Sequence, residues 1–115
     1  MTLRRGLAVT LALAALAPAA RAEIDVPRDA ECLLIVGDQK LIGGRCTFTP
    51  LDADGSFTIA GLDGLFFAYV LVTGRGEADG YWNGTPGAQH AHDPLGRLTR
   101  KDACWQNANA SVCAW

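Results

Sequence analysis

The chain has 115 residues, ten basic and twelve acidic side chains, four cysteines, and hydrophobic residues at half its positions. That length holds one domain rather than two, and the mildly acidic balance argues against nucleic acid or anionic lipid as a partner.

The first 22 residues read as a secretory signal peptide. Arg4 and Arg5 supply a positive start, "GLAVTLALAALA" (6–17) is an uncharged apolar run, Pro18 breaks it, and Ala20-Arg21-Ala22 is an A-x-A cleavage site. The run has 12 residues, too few for a membrane helix, which needs about 20. Cleavage after Ala22 would leave residues 23–115 as a single domain with no membrane span, in the periplasm or the medium. Three of the ten basic residues lie within the first 22, so seven face twelve acidic ones in the remainder, a formal charge of −5.

Residues 23–31 ("EIDVPRDAE") are polar, carry a proline, and read as a lead-in segment. "CLLIV" (32–36), the pair Gly37-Asp38 and "QKLIGG" (39–44) read as strand, two-residue turn and strand. Folding about that turn sets Cys32 opposite Gly43, three residues short of Cys46, so a bulge at Gly43-Gly44 is expected to bring Cys46 back. Asp54-Gly55 has the composition of a type I′ turn between "TFTPL" and "SFTIA". The D-x-D-G of "DADGSF" (52–57) lacks the remaining ligands of a calcium loop and reads as a hairpin turn. Leu65 to Val72 is a run of eight apolar residues, and its aromatic and β-branched content predicts a strand buried on both sides.

Residues 75–96 are the least regular part, with five glycines and two prolines. Tyr81-Trp82 would open a short strand, Asn83-Gly84 a turn, and Thr85 to Pro94 a loop. "RLTR" (97–100) alternates again. In "ACWQNANASVCAW" a fold about Ala108-Asn109 sets Gln106 opposite Ser111, Trp105 opposite Val112 and Cys104 opposite Cys113. Asn109 would supply a positive φ in that turn. Directly opposed strand residues lie within disulfide reach.

Four cysteines in a short exported chain predict two disulfides. Their intervals of 14, 58 and 9 residues lack the short knuckle of a zinc site. Of three connectivities, the local one (Cys32–Cys46, Cys104–Cys113) is expected. The whole predicts an all-β domain, a small antiparallel barrel or sandwich of six to eight short strands with two disulfides.

Functional candidates gather in the 80–96 segment: Tyr81, Trp82, Asn83, His90, His92 and Asp93. His90 and His92 are the chain's two histidines. At spacing two they share one face of a strand and could hold zinc or copper, with Glu77, Asp79 or Asp93 as a possible third ligand. The plainer reading is a surface loop shaped by histidine hydrogen bonds. No serine, cysteine or second acid adjoins them to make a triad, so no catalytic residue and no cofactor is expected. One of Tyr81 and Trp82 should face outward, while Trp105 and Trp115 read as core.

The pattern "ADGYWNG…HAHDPLG", followed by "ACW" and the final cysteine and tryptophan (78–115), resembles the C-terminal part of small exported bacterial proteins of no assigned function. That resemblance implies export and bridging, and no activity. At fold level the chain is also similar to periplasmic lysozyme inhibitors, which are β-rich, disulfide-bonded and of about this size. This implies a non-enzymatic binding module that offers the 80–96 loop to a protein or cell-wall component, inhibitor-like toward a basic cell-wall enzyme. The alternative is a metal-handling protein built on His90 and His92. The sequence leaves oligomeric state open.

Overall fold

A computed structural model describes residues 23–115; the expected signal peptide, 1–22, lies outside them. Eight strands follow one another: β1 (Arg28–Val36), β2 (Gln39–Pro50), β3 (Phe57–Gly61), β4 (Phe67–Gly74), β5 (Glu77–Trp82), β6 (Asp93–Lys101), β7 (Cys104–Gln106) and β8 (Ala110–Ala114). Each pairs antiparallel with the next, and β8 pairs back onto β1 to close an up-and-down barrel. Closure satisfies the backbone of every strand and leaves no edge for aggregation.

Alternation decides what fills the interior. Leu34, Ile59, Val70, Leu98 and Val112 are fully buried, and each contributes about 1.5–3 kcal/mol of apolar burial. An eight-stranded barrel is narrow, so small residues must share the inside with large ones. Ala68, Ala78 and Gly80 do so. A Cβ on Gly80 would stand 2.6 Å from Leu98 Cδ1 and 3.2 Å from Leu95 Cβ, so this position has no room for even a methyl group.

The disulfides divide between the two faces. Cys32–Cys46 is interior, with both residues buried and Cα atoms 5.7 Å apart. Cys104–Cys113 joins directly opposed residues of β7 and β8, Cα atoms 4.1 Å apart, on the side away from Trp105 and Val112. The two bonds mark a protein that matures in an oxidising environment. Among the described residues no helix is long and apolar enough to cross a membrane.

Several local expectations need correction. β1 begins at Arg28, inside the segment read as a lead-in. Cys32 lies opposite Gly44, not Gly43, and Cys46 opposite Ala30; the register slips at Leu41 rather than at Gly43-Gly44. The cysteines are therefore diagonal neighbours, and side-chainless Gly44 stands between them on the same face. Asp54-Gly55 is not a two-residue turn. Residues 51–56 form a wider loop in which Asp52 Oδ1 accepts the N–H groups of Asp54 (2.9 Å) and Ser56 (3.1 Å). The hydrogen bonds from Ser56 hold the Asp52 carboxyl below its ordinary pKa.

Tyr81-Trp82 closes β5 instead of opening a strand, and β6 begins at Asp93, which shortens the loop to 83–92. The last hairpin has the expected register throughout. Its turn is held by the Asn107 side chain, whose Oδ1 accepts from Asn109 N (2.8 Å) and Ala110 N (2.9 Å). Asn109 keeps a negative φ, since Asp25 and Asp102 are the non-glycine residues with positive values among those described. Trp105 is core, as expected, but Trp115 is 65% exposed: its backbone pairs with Glu31 of β1, and by period two it shares the outward face of Cys113 rather than the inward one of Val112 and Ala114.

Candidate functional site

The run Leu65–Val72 was expected to be buried on both sides, and it is not. From β4, Ala68 and Val70 are fully buried inside the barrel and Val72 follows them inward at its open end; Phe67 and Tyr69 are half-buried on the outer face, and Leu71 is 38% exposed. A narrow barrel accepts the small side chains of this strand and turns the aromatic ones out. Register sets Tyr81 of β5 directly beside Tyr69, and Asp79 beside Leu71. Phe67 and Tyr69 meet edge to face with ring centroids 6.0 Å apart. The outer wall at β4 and β5 is thus an aromatic platform.

The 83–92 loop folds back against this platform, and Asn83 holds it there. Asn83 is only 5% exposed, and its side chain is fully committed. Oδ1 accepts from Phe67 N (3.1 Å), while Nδ2 donates to the carbonyls of Leu65 (2.8 Å), Thr85 (3.1 Å) and Ala88 (3.1 Å). Gly87 N adds a bond to the Leu65 carbonyl (2.9 Å). Gly84, at φ +76°, lies against the Asp93 carboxylate where a Cβ would collide. These contacts pin both ends of the loop to the start of β4 and the start of β6.

The rest of the loop then closes one side of a groove. It is lined by Phe67, Tyr69, Leu71 and Tyr81 from the sheet and by Gln89 to His92 from the loop, and it encloses about 410 Å³. His90 and His92 are both exposed, with their rings stacked at 5.3 Å between centroids and 19° between planes. Near-parallel rings 5.3 Å apart keep their in-plane nitrogen lone pairs in two separate, nearly parallel planes, a poor arrangement for two ligands of one tetrahedral ion. Among the described residues no three His, Cys, Asp or Glu side chains converge as a metal site.

The structure therefore gathers some of the candidate residues and separates others. Tyr81, His90 and His92 share the groove. Trp82 turns to the opposite face, where it packs on the core and against Phe66 at 6.1 Å. Asn83 is the internal tie of the loop, and Asp93 braces Gly84 from the first position of β6. Phe67, Tyr69 and Leu71 belong to the groove yet were assigned to the core from sequence. The available signal was the alternation within "FAYVLV", small or branched residues at even positions and larger ones at odd positions. No family model, curated protein or solved structure matches this chain.

Proposed function

We propose that this protein is an exported, non-enzymatic binding module that takes its partner in the groove between the β4–β5 wall and the 83–92 loop. The observation that carries the reading is the outward aromatic platform of Phe67, Tyr69 and Tyr81, faced by the stacked histidines. Aromatic rings held rigid on a sheet lose little entropy on binding and favour recognition. The loop is prepaid in the same sense, since Asn83 fixes it before any partner arrives.

The partner that fits best is a basic cell-wall enzyme of the lysozyme type, or the wall polymer it acts on. Supporting this are the −5 charge of residues 23–115 and Asp79 on the outer face beside Leu71. Export places such a module where these partners are. The test is inhibition and direct binding of a chicken-type lysozyme at low and high salt, with Tyr81→Ala and the double variant His90→Ala/His92→Ala alongside. Micromolar binding that weakens with salt and with both variants supports the reading. Absence of binding at tens of micromolar protein removes lysozyme as the partner. Zinc or copper titration of the same double variant addresses the metal alternative, which unchanged binding heats would eliminate.

A further inference from the structure

The barrel's two ends differ. At the end carrying the 83–92 loop, Phe66 and Trp82 pack against the core. The opposite end is bounded by the 51–56 loop and by the tight turns joining β4 to β5 and β6 to β7. There the inward-facing side chains do not meet across the mouth. They leave a cavity of about 370 Å³ whose floor includes Phe48, Phe57, Val72 and Trp105. That volume lies within the range of about 300–1,000 Å³ typical of small-molecule sites, at its lower end.

The rim is charged. Arg75 comes from the β4–β5 turn and Arg100 from β6, and Asp54 and Asp102 stand on the same rim. Arg100 shares the inward-facing period of Leu98, so it reaches the mouth from inside the barrel wall. Its guanidinium lies 6.0 Å from the Trp105 ring centroid, and its Nε donates to the Asp102 carbonyl (3.1 Å), which leaves the terminal nitrogens open. Among the described residues the one ion pair is Arg45–Asp29, so neither rim arginine is neutralised by a carboxylate within 4.0 Å. Just outside, Arg28 stands 4.9 Å over the Phe48 ring and extends the positive edge of the aromatic floor.

We infer that this mouth binds a small amphiphilic anion, with an aromatic or aliphatic body on the Phe48–Phe57–Val72–Trp105 floor and one negative headgroup at Arg100 and Arg75. The apolar floor supplies affinity through burial, and the guanidinium groups add to their hydrogen bonds an ion-pair attraction that an uncharged ligand lacks. The site is separate from the outer groove and independent of its partner.

The probe is 8-anilinonaphthalene-1-sulfonate, with uncharged N-phenyl-1-naphthylamine as its neutral counterpart. Both are titrated into the purified protein well below its unfolding transition. The expected result is saturable fluorescence enhancement by the sulfonate at one site per chain. Arg100→Ala and Arg75→Ala should each weaken the sulfonate about tenfold and leave the neutral probe within about twofold, in line with a lost charge-assisted bond. Val72→Trp, which fills the floor, should weaken both probes, while Tyr81→Ala should change neither. Far-ultraviolet circular dichroism confirms that each variant is folded; should Val72→Trp unfold, Phe57→Leu serves as the floor variant. The inference is overturned by the absence of saturable binding, by loss of binding in Tyr81→Ala, or by equal loss of both probes in the arginine variants.

Discussion

Asn83→Ala should destabilise the whole barrel, not the loop alone. The substitution deletes four side-chain hydrogen bonds that reach Phe67 N and the carbonyls of Leu65, Thr85 and Ala88. The two Nδ2 hydrogens are shared among three carbonyls, so with the Oδ1 bond about three full bonds are lost at roughly 1 kcal/mol each, and residues 85–87 are exposed to water. About 3 kcal/mol is the net expectation. The first residue of β4 is among the partners, so the loss is felt by the sheet. For a domain of this size, 1 kcal/mol moves Tm by about 4–8 °C, which gives a fall of roughly 12–24 °C by calorimetry. Asn83→Asp sharpens the test. It keeps an acceptor for Phe67 N but turns a carboxylate oxygen toward three carbonyls. That repulsion raises the folded-state pKa of the new carboxyl, so the variant should be less stable than Asn83→Ala at pH 7 and recover as pH falls. A drop below about 4 °C for Asn83→Ala, or wild-type stability for Asn83→Asp, would refute the role given to Asn83.

Gly80→Ala should cost about 1–3 kcal/mol in urea unfolding, because the added methyl meets Leu98 and Leu95 inside the barrel; a neutral result would show that the interior can yield there. Mild dithiothreitol with alkylation trapping should reduce Cys104–Cys113 first, since Cys104 is partly exposed while Cys32 and Cys46 are 2% and 1% exposed; simultaneous loss of both bonds would contradict this. Replacing Cys104 and Cys113 together by serine should cost about 2–3 kcal/mol. The Asp52 carboxyl has its pKa lowered from 3.8 by Ser56, so its contribution is present above about pH 4 and lost as pH falls through the lowered folded value. Asp52→Asn should therefore lower Tm slightly at pH 7 and matter progressively less as pH falls below about 4, as followed by circular dichroism.

What could be read in advance was what period two and turn chemistry determine. The Cys104–Cys113 hairpin followed from counting outward from Ala108-Asn109, because a two-residue slip would have broken the Trp105–Val112 pair and the bridge together. Eight strands and closure are less legible, since closure depends on β8 reaching β1, where Cys32 pairs with Ala114 from the far end of the chain. The pairing partners at Cys32 also depended on a bulge at Leu41 that no glycine marks. The largest misreading, Leu65–Val72, came from treating apolar as buried. In a narrow barrel the interior selects by volume as well as polarity, so Ala68 went in while Phe67 and Tyr69 went out. That inversion concealed half of the groove. The loop half was visible through its glycines and histidines, but Asn83 looked like one more turn residue. Its burial depends on Leu65 and Phe67, which are remote in sequence.

The outer groove is the surface at which a partner should touch the protein. Amide chemical-shift mapping of the isotope-labelled protein, titrated with a chicken-type lysozyme and separately with solubilised peptidoglycan fragments, measures this. The prediction is that at least one of the two perturbs a contiguous patch at Phe67, Tyr69, Leu71, Tyr81 and Gln89–His92. Perturbations confined to other surfaces, or none with either titrant at saturating concentration, would contradict the assignment of the groove as the working surface.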